Sequence, residues 1–532
     1  MLNKDKNINE RIILIILDGW GIAPPNQGNA IALAKTPVFD SLKEKFPFTK
    51  LCAHGICVGL LKNQTGNSEA GHLNLGAGRV VKDDAVYIYE SIADGTFFKN
   101  PVFNEGMRHL EKKKSLKPKV HLMGLVTEKN SAHSAPEHML AMIKFLDQQG
   151  IKEVFLHLFT DGRDSPQHAA IKLLKMFQSQ VHNNHQQFNH QINVQIASVA
   201  GRIYAMDRTK NWERIKKVYD LLTVGKGLEA TSAEEAIVQA YNRQETDEFI
   251  SPTVITNKTG QPVATIDNND LVIFMNLRSD RARQLTKVFA QKEFNQKNPG
   301  SFKRKKWPKV FFIALTDFGP DLDEVRTAYP SREIKNSLPV MLSGLKQFYI
   351  AETEKYAHGT FFFNGGYDHP VAGEERIVIP SPRVLGYDLE PEMSILKVCQ
   401  KIKATIRTEK PDFIMVNFCN PDMLGHTGNL QAAIQSIEYL DGRLGDLLKI
   451  LKKEKYIVIV TSDHGNVEQM INLKTSEIET SHTTNPVPFI LINVKKKVQL
   501  RTGGKLADVA PTILDLLGRK KPKEMTGVSL IK

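Results

Sequence analysis

The run Arg11-Ile12-Ile13-Leu14-Ile15-Ile16-Leu17 ends in Asp18-Gly19-Trp20-Gly21. It is apolar on every side, short, rich in β-branched residues and bounded by charge. That fits a strand buried on both faces of a parallel sheet. Such sheets gather ligands beyond the carboxyl ends of their strands, so Asp18 has two readings. It is a metal or substrate ligand, or a turn former beside Gly19. The run is far shorter than a membrane span and has no cleavage-like site after Lys4 and Lys6, so neither an export nor an anchoring signal is expected.

Similar stretches recur as Val120 to Val126, Val154 to Leu158, Val194 to Val199, Leu271 to Met275 and Val310 to Leu315. Helix-like segments separate them, which implies a second α/β sheet. The first four lead to Ser131-Ala132-His133-Ser134, Asp161-Gly162-Arg163-Asp164-Ser165, Gly201-Arg202 with Asp207-Arg208, and Asn276 to Arg281. The planar guanidinium fork matches carboxylate and phosphate oxygens, and Arg278 and Arg281, three apart, would share a helical face. Together these residues suggest a pocket for a small polyanion. Each arginine alone reads as a surface partner of the adjacent Asp164, Asp207 or Asp280. Recurrence at equivalent strand ends favours the pocket.

Two segments carry no assigned chemistry. The Asn/Gln-rich tract His182 to His190 reads as an exposed loop or helix extension, and Ser301 to Pro308 as a basic loop. From Thr316 to Pro330 the chain is rich in Asp with Gly and Pro, which suits a domain linker, and a further α/β pattern starts near Ile334. Lys355 follows an apolar stretch and is available to an anion, although a lone lysine is usually solvated.

Three C-terminal loops are more specific. Strand Phe413 to Phe418 leads to Asn420-Pro421-Asp422-Met423-Leu424-Gly425-His426, where helical spacing puts Asp422 and His426 on one face. Strand Tyr456 to Ser462 leads to Asp463-His464-Gly465-Asn466, and His482 precedes strand Pro488 to Ile492. Asp18, Asp422, His426, Asp463, His464 and His482 thus fall at strand ends or in adjoining loops. Any one Asp-His pair could be a satisfied hydrogen-bonded pair, but the set is enough for two metal ions. Mixed Asp and His ligands without Cys favour Mn2+ or Zn2+ over Ca2+.

Thr65-Gly66-Asn67-Ser68-Glu69-Ala70-Gly71-His72 sets one hydroxyl among small and polar residues before a helix or tight turn. Ser68 there is either a helix N-cap or a nucleophile facing the unpaired N–H groups of the first turn, which suit phosphate. Two adjacent ions could lower its pKa and position a phosphoryl group, with Ser68 completing one coordination shell.

A net charge of +13 admits nucleic acid as a partner. The runs Lys112-Lys113-Lys114, Lys303 to Lys306 and Lys495-Lys496-Lys497 lie far apart and carry no recognisable nucleic-acid module, so solvated surface is the expectation. Cys52, Cys57, Cys399 and Cys419 are too few and scattered for a disulfide framework, and we expect reduced thiols in a cytoplasm.

Asp18-Gly19-Trp20-Gly21, Gly66-Asn67-Ser68-Glu69-Ala70-Gly71-His72, Asp161-Gly162-Arg163-Asp164, Asn420 to His426 and Ser462-Asp463-His464-Gly465-Asn466 closely resemble the cofactor-independent phosphoglycerate mutases, in order and over nearly the whole chain. The resemblance implies an α/β fold in which an alkaline-phosphatase-like metal-binding domain, residues 1–82 and 327–532, receives an inserted α/β transferase domain, residues 83–326. It implies one metal site of Asp422, His426 and His482, another of Asp18, Ser68, Asp463 and His464, and two divalent ions, Mn2+ foremost. Substrate ligands would be His133, Arg163, Asp164, Arg202, Arg208, Arg278, Arg281 and Lys355.

The implied reaction interconverts 3- and 2-phosphoglycerate in glycolysis and gluconeogenesis through phosphoserine at Ser68, without bisphosphoglycerate, with Asp164 as acid or base. Domain closure, hinged near Val81 to Asp84 and Thr316 to Pro330, would exclude water. The small phosphoglycerate would be the partner of a cytoplasmic monomer that engages neither nucleic acid nor membrane. Alternatives are a metal-dependent phosphatase or phosphosugar mutase of the same superfamily, or a basic nucleic-acid-binding protein.

Overall fold

The computed structural model describes residues 10–128, 131, 133–185, 192–319, 321–322, 324–332, 334–495 and 498–532, and the chain forms two compact α/β units. The first is built from both chain ends, up to Asp83 and from Arg332 onward; the second runs from Asp84 to Ser331.

Among the described residues the first unit holds one eight-stranded sheet. Its order is β12 (Glu374–Ile379), β11 (Gln347–Glu352), β13 (Phe413–Phe418), β1 (Arg11–Leu17), β14 (Tyr456–Thr461), β15 (Val487–Ile492), β2 (Phe48–Cys52) and β16 (Gly504–Lys505). From β12 to β14 all neighbours are parallel. Central β1 is apolar from Ile12 to Leu17 because both its faces are covered there. Ile13, Ile15 and Leu17 pack in one core with the helix Leu430–Lys453, while Ile12, Leu14 and Ile16 pack in another with the helix Val509–Leu516.

The second unit has the sheet order β10 (Arg326–Tyr329), β9 (Phe311–Thr316), β8 (Leu271–Phe274), β3 (Val120–Val126), β4 (Glu153–Thr160), β5 (Asn193–Gly201), β7 (Thr253–Ile255) and β6 (Leu228–Ala230). Its strands are parallel except where β5 meets β7. It too is two-sided, with Leu122, Leu156 and Ile273 in one core and Met123, Phe159 and Phe274 in the other.

Two expectations change. The segment Thr316 to Pro330, read as a linker, contains β10, which pairs in parallel with β9 through Thr327 opposite Ala314; its short Arg-Thr-Ala-Tyr sequence offers too little apolar signal to mark an edge strand. Cys52 and Cys57, expected as thiols, form a disulfide. After β2 the short helix Gly55–Val58 turns the chain back and brings their Cα atoms within 6.0 Å, inside bridging range. Cys399 and Cys419 are free and buried.

The tract from His182 begins as the end of the helix Ala170–His185, and 186–190 lie outside the described residues. Two side chains of the basic loop are engaged locally. Arg304 donates to the carbonyls of Val288, Gln291 and Lys292, and Lys306 to those of Thr223 and Ile266. No helix among the described residues is long and apolar enough to cross a membrane.

Candidate active site

Ser68 opens the helix Ser68–Ala77, but it is not the cap. Asn67 is, its side chain accepting the Ala70 N–H at 2.9 Å. The Ser68 hydroxyl is therefore free to turn inward, where it is buried with Oγ 2.9 Å from His464 Nε2 and 3.4 Å from Asp18 Oδ1.

The strand ends of the first unit deliver the surrounding groups. Asp18 follows β1, with its N–H on the Phe418 carbonyl and its own carbonyl accepting the Asp422 N–H. Gly19 makes this approach possible, since at φ +73° a Cβ there would lie 2.8 Å from Asp422 Cα. Asp422 sits in the short helix after β13, and Asp463 and His464 follow β14.

Hydrogen-bond partners assign the imidazole tautomers. His426 Nδ1 faces the Thr480 carbonyl, His482 Nδ1 the Gly66 carbonyl and His464 Nδ1 the Gly465 carbonyl, so each carries its hydrogen there. Three bare Nε2 atoms remain. Those of His426 and His482 are 3.0 Å apart and lie 3.4 and 3.2 Å from Asp422 Oδ1. His464 Nε2 lies 3.5 Å from Asp18 Oδ1, 3.4 Å from Asp463 Oδ2 and 3.9 Å from Asp422 Oδ1. His464 thus belongs with both geometric ligand groups, Asp422-His464-His482 and Asp18-Asp463-His464.

This donor set fits divalent cations. In these tautomers lone pairs of nitrogen converge on carboxylate oxygen, and Asp463 Oδ2 is buried without a hydrogen-bond donor of good geometry. Positive charge is short. Burial and the neighbouring Asp463 push the Asp18 carboxyl up to about 7. Burial brings His464 down to about 3, which keeps its Nε2 available.

Lys355, expected as a substrate ligand, lies among these carboxylates, its Nζ 2.7 Å from Asp18 Oδ1 and 2.6 Å from Asp422 Oδ2. Burial alone would lower its pKa; Asp18 and Asp422 outweigh that and raise it.

In the second unit, the C-terminal ends of β3, β4, β5 and β8 bring together the expected anion ligands. Asp164 Oδ2 accepts from Ser131 Oγ at 2.8 Å and lies 3.2 Å from Arg202 Nη1 and 3.9 Å from His133 Nε2. Arg208 and Arg278 reach Asp280 at 3.2 and 3.5 Å. Arg163 reaches Glu248 at 3.5 Å and is half exposed. Arg281 is the clearest sign of crowded positive charge: burial, then Arg202, Arg208 and Arg163, bring its guanidinium down to about 10. Burial and Arg202 likewise bring His133 down to about 4. Burial would raise Asp164, but Arg202 and Ser131 more than offset it and keep the carboxylate ionised.

Residue spacing missed several supports. Asn417, inside β13, donates from Nδ2 to Asp18 Oδ2 at 2.7 Å and lies 2.9 Å from His72 Nε2. A polar residue within an otherwise apolar strand was its available signal. Asp161 accepts from Thr127 Oγ1, Ser165 Oγ and Arg202 Nη1, which fixes the loop carrying Arg163 and Asp164. Asn466 Nδ2 donates to Asp422 Oδ1 at 2.9 Å, and Glu468 receives the N–H groups of Gly21 and Asn466.

Comparison with known proteins agrees with this chemistry. Residues 10–521 match the Metalloenzyme superfamily. A 2,3-bisphosphoglycerate-independent phosphoglycerate mutase 1 of Methanosarcina barkeri is 46% identical over 523 residues, covering 98% of each chain. The 2,3-bisphosphoglycerate-independent phosphoglycerate mutase of Acetivibrio thermocellus is 44% identical over 523 residues, covering 98% of this chain and 99% of its own. Among solved structures, a Leishmania mexicana phosphoglycerate mutase at low cobalt concentration matches with a TM-score of 0.78 and 28% identity, over 100% of this chain and 99% of that one. Sequence identity of that extent along both chain ends and the intervening unit means that this chain belongs to the 2,3-bisphosphoglycerate-independent phosphoglycerate mutases.

Proposed function

We propose that the protein is an isomerase that interconverts 3-phosphoglycerate and 2-phosphoglycerate without bisphosphoglycerate, using Ser68 as a temporary phosphate holder. The observation that carries this reading is the Ser68 hydroxyl, relieved of capping by Asn67 and set 2.9 Å from His464 Nε2 among buried carboxylates. Asp422, His426 and His482 would hold one divalent ion, and Asp18, Ser68, Asp463 and His464 a second. When bound, such ions, Mn2+ in this reading, supply the positive charge that lowers a serine pKa and neutralises phosphoryl oxygens.

In the first half-reaction, Ser68 Oγ takes the phosphoryl group from the substrate's 3-oxygen, and the freed 3-oxygen collects the proton that the Ser68 hydroxyl gave up. In the second, the glycerate 2-oxygen attacks phosphoserine and loses its proton. Asp164, held ionised, is the base for that deprotonation and, once protonated, the acid for the reverse step. Lys355 balances the negative charge on Ser68 Oγ, 2.5 Å away. Arg163, Arg202, Arg208, Arg278 and Arg281, with His133, hold the glycerate between the half-reactions. A phosphatase has no need to retain the alcohol it releases, so this cluster favours a mutase.

The first unit is thus the phosphatase-like part and the second the transferase part. Glycolytic and gluconeogenic use, a cytoplasmic location and a monomeric state complete the reading and rest on the family resemblance. The test is conversion of 3- to 2-phosphoglycerate without added bisphosphoglycerate, before and after chelation and after Mn2+ is returned. Metal-dependent conversion is expected; turnover indifferent to chelator would overturn the two-metal proposal.

A further inference from the structure

Four neighbouring strands of the second unit carry the anion cluster at their C-terminal ends, and one chain of buried side chains crosses the same four. Asp270, immediately before β8, has Oδ2 3.2 Å from His121 Nε2 on β3. His121 Nδ1 lies 3.0 Å from His157 Nε2 on β4, and His157 Nδ1 lies 2.8 Å from Ser198 Oγ on β5. None of the four residues is more than 3% exposed. The reaction as proposed uses none of them.

The hydrogen-bond partners are all satisfied with both rings neutral. The Asp270 carboxylate accepts the N–H groups of Lys119 and Asp267, so His121 must donate to it from Nε2. His121 then has a bare Nδ1, which accepts from His157 Nε2. His157 in turn has a bare Nδ1, which accepts the Ser198 hydroxyl hydrogen. Every donor is satisfied and every link points towards Asp270. A proton added to His121 Nδ1 would oppose two N–H groups at the contact between the imidazoles, and one added to His157 Nδ1 would displace the hydroxyl hydrogen of Ser198 from its acceptor. The other charged groups facing the chain are Lys119, 4.0 Å from Asp270 Oδ2, and Asp267, which pairs with Lys119 and Lys306. Burial lowers both histidines, His157 most strongly, in the same direction as the hydrogen count.

The chain crosses the sheet where its backbone ladder is irregular. Between β4 and β5 the register shifts after Leu156, so that Leu156 faces Ile196 but His157 faces Ser198. A one-residue slip there would turn every later side chain of β5 to the other face. Arg202 follows directly, and its Nη1 lies 2.5 Å from Asp161 Oδ1 at the end of β4.

We propose that His121 and His157 are positioning residues, a neutral crossbar that pins the register of four strands and so holds the arginine-bearing ends in the geometry that grips phosphoglycerate. This rests on the proposed anion-binding role of those arginines.

The test uses the full chain with 15N-labelled histidine. Both rings should show the Nε2–H tautomer, with shifts constant from about pH 8 to about pH 5.5. A ring titrating near its ordinary value, or an Nδ1–H tautomer, would overturn the crossbar whatever the enzyme does. Ser198→Ala, which keeps both rings but removes the terminal donor, should raise KM for 3-phosphoglycerate about fivefold, leave kcat within about twofold and leave Mn2+ affinity unchanged. Ser198→Thr should restore KM. An unchanged KM in folded Ser198→Ala, or a parallel loss of kcat and metal affinity, would overturn the positioning role. If wild-type protein does not turn over phosphoglycerate, the functional reading fails; calorimetric affinity for 3-phosphoglycerate then replaces KM, and equal affinity in wild type and Ser198→Ala overturns the positioning role.

Discussion

The Lys355 ammonium lies 2.5 Å from the Ser68 hydroxyl, so the cation and the proposed nucleophile are direct neighbours although 287 residues separate them in sequence. The same ammonium bonds Asp18 and Asp422, which makes it the nearest counter-charge to two buried acids. Removing one partner from buried charges is strongly destabilising, by about 3 kcal/mol or more. Lys355→Met should therefore lower the melting temperature of chelator-treated protein, and Mn2+ should recover much of the loss. It should also reduce kcat by about a hundredfold or more, because a charge aimed at the reacting oxygen is lost. Melting curves with and without metal, beside steady-state kinetics, check both; equal melting of wild type and variant without metal would refute the counter-charge role.

Asn67 caps the helix, which leaves Ser68 free for the proposed role of nucleophile. Asn67→Ala should cost about 1 kcal/mol of stability through the lost cap on the Ala70 N–H, with activity reduced only modestly. Ser68→Ala should do the reverse, leaving unfolding nearly unchanged while abolishing turnover and any acid-quenched phosphoserine. Denaturant titration and mass spectrometry of quenched protein separate the two. A Ser68→Ala enzyme with wild-type turnover would end the nucleophile assignment.

Metal affinity should fall on the acid side. Burial works to lower the His426 pKa, but Asp422 outweighs it and the net direction is upward from the ordinary value. Below that raised value His426 carries a proton on the nitrogen a cation needs, so affinity at the site of Asp422, His426 and His482 should drop about tenfold per pH unit, while protonation of Asp18, pushed up to about 7, acts on the other site. His464, held at about 3, should not contribute to this limb. Mn2+ titrations at stepped pH check the slope, and His426→Gln should flatten it. Affinity independent of pH across that range would count against His426 as a ligand.

Acid should also weaken the second unit through His138. This ring is buried, its Nδ1 has no hydrogen-bond partner, and burial brings its pKa down to about 4. The unfolded chain binds the proton first, so stability is complete above about pH 6.5 and is lost progressively as pH falls towards 4. The shift corresponds to about 3 kcal/mol, and His121 and His157 act in the same sense. Urea unfolding at stepped pH should show this slope. His138→Met should make it shallower; an unchanged slope would remove His138 as the source.

The two-sheet α/β class was legible in the residues, because uninterrupted apolar runs such as Ile12 to Leu17 can be buried only between two covered faces. The sequence also picked out the Asp, His and Arg residues that the strand ends bring close together. Their grouping was beyond it. That His464 stands in both ligand groups and that Lys355 lies among carboxylates follow from contacts between residues far apart in sequence, whereas the choice of Asn67 over Ser68 as cap is local and turns on which of two adjacent polar side chains accepts the Ala70 N–H. The Cys52–Cys57 bond and edge strand β10 were likewise decided by how the chain turns and pairs. Periodicity and residue type report burial and local conformation. Which donor meets which acceptor is set only when the strands are assembled in order and register.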